Sequence, residues 1–241
     1  MDRLAAQILP PGSTEHYSAY VGPPAQYDFM GATQFRLACA LGLREHHRLL
    51  DFGCGSLRAG RLFIVYLNPG CYFGIEPNSW LVEDAIQSEL GGNDLVNLKR
   101  PTFSRNSDFD SRVFGINFNF IIAQSIFSHC GLDLIKITLE GFAEALSPDG
   151  IAMATFITSS EGQDFNGSGW VYPGCVEYRQ ETIERTAENC GLATRRIPWF
   201  HPRQDWYLFS RDSERLPGSV QAERYLDGII VGPSDITDQR R

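Results

Sequence analysis

The sequence predicts an α/β protein built on a mostly parallel sheet with helices on both faces, and three observations predict it. From Leu49 to Phe209, short apolar runs alternate with stretches whose apolar residues recur at helical spacing. The first run, Leu49-Leu50-Asp51-Phe52, opens directly into Gly53-Cys54-Gly55 and a helical stretch, which reads as strand, glycine turn, helix. Phe118 to Ala123 is apolar at consecutive positions apart from Asn119, as a strand buried on both faces is.

Taken in order, Gln26 to Leu43 shows Phe29, Met30, Leu37, Ala38 and Leu41 in a helical arrangement after a turn-rich start. The helix from Leu57 to Leu67 carries Leu62, Phe63, Tyr66 and Leu67, and Pro69-Gly70 stops it ahead of the strand Cys71 to Ile75. A helix from Ser79 to Leu90 follows, carrying Trp80, Leu81, Ile86 and Leu90 and ending at Gly91-Gly92. Asn93 to Phe114 is the least regular stretch, with one short strand near Arg100 to Phe103. The helix Leu132 to Leu146 puts Ile135, Leu139, Phe142 and Leu146 on one stripe, and Ser147-Pro148-Asp149-Gly150 reads as a turn into the strand Ile151 to Ile157. Glu161 to Gly174 is a long polar loop of the kind that often carries function, followed by a helix over Glu177 to Cys190. Ala193 to Ile197 and Trp206 to Phe209 are strands separated by so short a loop that they pair antiparallel. The division this gives is a helical cover segment over 1–45, a principal domain over 46–211 and a C-terminal extension over 212–241 whose apolar part is Gly228 to Val231.

Composition narrows the function. Of 241 residues, 21 are basic and 29 acidic, for a net charge of −8, which argues against a nucleic-acid backbone as partner. No apolar run reaches the roughly 18 residues of a membrane helix, and the N-terminus has no signal pattern. The expected location is the cytoplasm. Six cysteines are scattered without a CxxC pair or a neighbouring metal-spaced histidine, so they read as reduced thiols and no metal site is expected.

A glycine turn between strand and helix lets a ligand approach the backbone, and the helix start offers unpaired N–H groups. A dinucleotide fingerprint GxGxxG would need glycine at position 58, where this chain has Arg58. Glu76, 21 residues after Gly55 and at the end of the second strand, is placed to accept both hydroxyls of a ribose. The strings LLDFGCGS, YFGIEPN, SDFD, FIIAQSIFSH and LSPDG together resemble the class I S-adenosylmethionine-dependent methyltransferases over about residues 28–210, closest to the branch acting on small molecules or glycans. The resemblance implies a Rossmann-like seven-stranded sheet in the order 3-2-1-4-5-7-6 and S-adenosylmethionine as cofactor. It implies that Asp51, Gly53, Cys54 and Gly55 wrap the methionine part, and that Glu76, with Pro77 beside it, holds the ribose. It further implies that Asp108 and Phe109 lie against the adenine and that Gln124 contacts the cofactor. Two departures stand out: Leu57 replaces the family's third glycine, and Asn119 an aspartate usual at the start of the fourth strand.

Each residue has a second reading. Glu76 also fits a solvent-facing helix start; Asp110 competes with Asp108; Phe109 also fits plain core; and Trp170 and Tyr172 suit either a substrate lid or a buried aromatic cap. Tyr17 and Tyr20, beside Gly22-Pro23-Pro24, and Trp170 are the candidate acceptor contacts. His129, just beyond the fourth strand, is the candidate base, with His16 and His201 as competitors. The fourth strand ends in Ala123-Gln124-Ser125-Ile126, which lacks both the Asp/Asn-Pro-Pro-Tyr run of nucleobase methylation and an acid to hold Mg²⁺. The reading is therefore metal-independent O-methylation of a small molecule or sugar, with N-methylation, a nucleotide-dependent oxidoreductase and a non-catalytic cofactor-binding protein as alternatives.

Overall fold

The structure, a computed structural model, describes residues 2–226. Its seven strands are β1 (Leu49–Phe52), β2 (Tyr72–Ile75), β3 (Thr102–Ser104), β4 (Phe118–Ala123), β5 (Leu146–Phe156), β6 (Ala193–Ile197) and β7 (Asp205–Ser210). They form one sheet in the order β3-β2-β1-β4-β5-β7-β6. β1 pairs in parallel with β2 and β4, while β7 runs antiparallel to both β5 and β6. The order and the terminal antiparallel hairpin are those the sequence predicts. Because the chain leaves β1 toward β2 and β3 and then returns to β4 on the other side, the crevice beyond β1 and β4 is a topological switch point, where ligands of open α/β sheets bind.

Alternate strand residues face opposite sides, and the core divides accordingly. Phe120, Ile122, Met153, Trp206 and Leu208 join one buried cluster, and Ile121, Ala123, Ala154, Tyr207 and Phe209 the other. The first is covered by α2 (Tyr27–Ala40), α3 (Gly60–Tyr66) and α8 (Ser219–Arg224), whose Leu37, Phe63 and Ala222 pack into it. The second is covered by α6 (Leu132–Ala145) and α7 (Gln180–Asn189) through Ile135, Leu139, Phe142 and Ile183.

Four elements differ from expectation. α3 begins at Gly60 because residues 54–59 remain in the turn, where Leu57 adopts φ +55°. A seven-residue helix, α5 (Asn93–Lys99), packs on the core only through the partly buried Leu95 and Val96, and none of its residues is buried. The third strand begins at Thr102 rather than near Arg100, which sits in the left-handed conformation that ends α5. Ser147-Pro148-Asp149-Gly150 does not turn the chain into β5; it is a bulge inside it, since pairing steps from Phe118–Leu146 to Phe120–Ile151. Gly228 to Val231 lies outside the described residues.

The N-terminal residues, including α1 (Tyr17–Tyr20), form a strap over the carboxyl edge of the sheet. The Tyr27 hydroxyl donates to the Ser56 carbonyl at 2.6 Å, Arg58 to the Val21 carbonyl at 2.8 Å, and Tyr172 to the Tyr20 carbonyl at 3.0 Å. A charged clasp fastens the strap behind. Glu89, at the end of α4 (Ser79–Glu89) with its side chain only 5% exposed, accepts from Tyr17 at 2.8 Å and pairs with Arg3 and Arg61, both of which also pair with Asp28. Removing one partner from a buried network strands the others, so Glu89→Ala is expected to lower unfolding free energy by about 3 kcal/mol in urea titrations. A loss below about 1 kcal/mol would show that the clasp adds little.

Candidate cofactor and acceptor site

A single cavity of about 820 Å³ opens at the switch point, and Asp51, Gly53, Cys54, Gly55, Glu76, Pro77, Phe109 and Gln124 all line it. That size is near the upper end of small-molecule sites. At its floor the turn after β1 is fastened to the end of β2. Gly53 and Cys54 N–H groups both donate to the Ile75 carbonyl at 3.0 Å. Gly53 has φ +77°, and a Cβ there would fall 2.2 Å from Ile126 Cδ1; Gly55 has φ +52°, and a Cβ would meet Val21 Cγ1 at 2.8 Å. Leu57 keeps the left-handed conformation that the missing third glycine would adopt freely, so the turn's path survives that departure at the cost of local strain.

Glu76 is 8% exposed and tightly held. Its Oε2 accepts the Gly55 N–H at 3.1 Å, and its Oε1 accepts the Asn78 N–H at 2.8 Å and Asn78 Nδ2 at 2.9 Å. Burial raises its pKa, and these three donors pull it back toward the ionised form. The side chain is therefore no solvent-facing helix start. Asp51 is buried at the end of β1 and accepts the Tyr72 hydroxyl at 2.8 Å; desolvation pushes its pKa up to about 7. Asn119, the second departure, sits at the opposite end of the sheet and accepts the Arg48 N–H at 3.0 Å.

The loop after β3 reaches the cavity with Asn106, Ser107 and Phe109. Asp108 is exposed and does not line it, and its N–H donates to Asn106 Oδ1 at 3.0 Å; Asp110 pairs with Arg112. Phe109, at φ +59°, packs 5.8 Å from Trp170, itself 47% exposed. Tyr20 and Trp170 both line the cavity. Tyr17 does not: its hydroxyl is taken by Glu89 and its ring packs against Tyr27.

The three histidines separate by their partners. His129 Nδ1 lies 2.6 Å from the Gly174 carbonyl, which can only accept, so Nδ1 carries the hydrogen and Nε2 keeps a lone pair. Burial lowers the His129 pKa, and the ring is neutral near pH 7. His201 also lines the cavity, but its Nδ1 accepts the Arg203 and Gln204 N–H groups at 3.2 and 3.0 Å. Its hydrogen is therefore on Nε2, 3.1 Å from the Gln124 amide, and burial brings its pKa down to about 4. For that hydrogen to be accepted, Gln124 presents oxygen rather than nitrogen, an amide orientation that also satisfies the otherwise unpartnered Gln124 Oε1 and frees two donors. His16 lies elsewhere, its Nδ1 2.7 Å from Ser18 Oγ.

Arg58, Arg203, Gln204 and Cys175 also line the cavity and were not singled out from sequence as contacts. Lone arginines in loops have no periodicity to mark them. Arg58 could have been noticed, since it occupies the first position after the family's third glycine. Among the described residues, no group of three or more His, Cys, Asp or Glu converges as a metal site, and no helix is long and apolar enough to cross a membrane.

The chain superposes on solved methyltransferases across most of its length. Magnesium protoporphyrin IX methyltransferase from Synechocystis, with S-adenosylmethionine bound, is similar at a TM-score of 0.60 and 12% identity, over 87% of this chain and 90% of that one. DesVI of Streptomyces venezuelae matches at 0.57 and 15%, over 78% and 92%, and a TehB-like S-adenosylmethionine-dependent methyltransferase of Corynebacterium glutamicum at 0.53 and 20%, over 75% and 88%. The fold is that of the class I methyltransferases. No family model and no curated protein sequence matches the chain. In this fold the glycine turn, Glu76 and Gln124 stand around one crevice.

Asp51 generates a pH prediction. In the unfolded chain its carboxyl ionises above about pH 4, whereas in the folded protein it stays protonated to about 7. Its contribution is fully present below pH 4 and is lost as pH rises through 7. Asp51→Asn, which retains an acceptor for Tyr72, should therefore gain stability relative to wild type between pH 5 and pH 8, by roughly 1.4 kcal/mol per unit of pKa elevation, in paired denaturant titrations. A pH-independent difference would contradict the raised pKa.

Proposed function

We propose that this protein is an S-adenosylmethionine-dependent methyltransferase that methylates a hydroxyl group of a small molecule without a metal ion. The observation that carries the reading is the Glu76 carboxylate, buried at the end of β2 and facing the same cavity as the Gly53-Cys54-Gly55 turn. One acceptor position on Oε2 stands free, and release of the Asn78 side-chain amide opens another on Oε1, which together suit two ribose hydroxyls. Gly53 and Gly55, both at positive φ, let Ile126 and Val21 pack directly on the turn that borders the cavity, and Arg58 is the cation beside that turn, suited to the carboxylate of the methionine part. When bound, S-adenosylmethionine supplies an electrophilic methyl group. The fold neighbours support the choice of cofactor, since the Synechocystis enzyme is described with it bound.

The chain's own residues supply alignment and a proton acceptor. Alignment contributes up to roughly 7–11 kcal/mol, far more than a general base, whose effect is typically about 10²–10⁴-fold. His129 suits the base: it lines the cavity, its Nδ1–H is anchored on Gly174, and its Nε2 is free to take a hydroxyl proton. Neutral amines need no such group, which favours oxygen as the methylated atom. A hydride-transfer reading is disfavoured by Leu57 and Arg58, which fill the turn where a dinucleotide pyrophosphate needs close backbone approach.

Calorimetry with S-adenosylhomocysteine should show micromolar affinity, weakened by about 1.5–3 kcal/mol in Glu76→Ala. Equal binding by both proteins would remove Glu76 from the site. His129→Ala should keep cofactor affinity and lower kcat about 10²-fold on the true acceptor. Unchanged kcat from pH 6 to 9 would exclude His129 as the base.

A further inference from the structure

The acceptor side of the cavity is electrostatically one-sided. With 29 acids against 21 bases overall, acidic side chains are plentiful, yet the two that line the cavity, Asp51 and Glu76, both belong to the cofactor floor. Away from that floor the wall is made by the N-terminal strap, the segment after β4, the 170–175 loop and the β6–β7 loop. Among its described lining residues, Arg203 is the one charged side chain. The Arg203 N–H is fixed on His201 Nδ1, and its guanidinium makes no hydrogen bond or ion pair with any described residue. Its charge is felt by His129, and by His201 together with the charge of Arg58 from the floor.

The same cavity also carries an aromatic wall. Trp170 and Tyr172 lie nearly parallel, 18° apart, with centroids 6.0 Å apart, and His129 sets its edge toward both, at 5.5 and 5.0 Å. Trp170 is one of the large apolar side chains left open to water, so a ring laid on it gains both desolvation and stacking. A cationic amine would meet Arg203 and find no acid, whereas a carboxylate finds a forked donor.

Building on the methyltransferase reading, we propose that the acceptor is a hydroxylated aromatic acid, its ring against Trp170 and Tyr172 and its carboxylate on Arg203. In this proposal the phenolic hydroxyl goes to His129 Nε2, and Arg203 sets specificity rather than rate.

The test titrates the full chain, saturated with S-adenosylhomocysteine, with a panel of hydroxybenzoates and hydroxycinnamates, each alongside its methyl ester and the corresponding primary amine. At least one acid should bind tenfold or more tighter than its ester and amine. Arg203→Ala should erase that preference, Arg203→Lys should restore part of it, and Trp170→Ala should weaken acid and ester alike. Esters or amines binding as well as acids, an Arg203→Ala effect equal on all three, or no binding by any member would each overturn the proposal. Failure of S-adenosylhomocysteine itself to bind would instead overturn the methyltransferase reading.

Discussion

The site depends on the hydrogen bonds that tie the turn after β1 to the end of β2. Glu76 is held by the Gly55 N–H and by two groups of Asn78, while Gly53 and Cys54 donate to Ile75. The carboxylate is thereby held in one orientation, so the proposed ribose contact would cost little further conformational entropy. Parallel pairing of β1 with β2, Phe52 opposite Ile75, sets these ends side by side.

The walls themselves come from irregular segments, and several sit in uncommon backbone conformations. Leu57, Phe109 and Ser125 all have positive φ, and the last two line the cavity. Such residues cost about 1–3 kcal/mol each unless their surroundings fix them. Here the surroundings do: Ser125 N–H donates to Thr155 Oγ1 at 2.8 Å, and the Gln204 amide donates to Ser125 Oγ at 3.0 Å. The strap and the 170–175 loop meet through Tyr172 and the Tyr20 carbonyl, so these two walls of the cavity are joined.

The regular framework was legible in the sequence wherever apolar residues were dense. β1, β2, β4 and the closing hairpin follow from alternation and short connections, and α6 from its stripe. α5 and the bulge in β5 were not legible, because seven residues with few apolar contacts, or a Ser-Pro-Asp-Gly run that stays in the sheet, carry no local signature distinct from loop. In the site, the glycine turn and Glu76 were legible because strand ends fix their positions. The loop after β3 was not: the left-handed turn at Phe109 decides that Asn106 and Ser107, rather than Asp108, reach inward. Nor could sequence separate Tyr17 from Tyr20, or the three histidines, since distant partners such as Glu89, Gly174 and Gln124 distinguish them.

A crystal structure of the protein grown with S-adenosylhomocysteine tests most directly whether one crevice binds the cofactor through Glu76 and presents the acceptor to His129. The expected result is ribose hydroxyls on Glu76, the amino-acid end over the Gly53–Gly55 turn beside Arg58, and open space between the sulfur and His129 Nε2. Electron density for the ligand outside this crevice, or a ribose that makes no contact with Glu76, would contradict it.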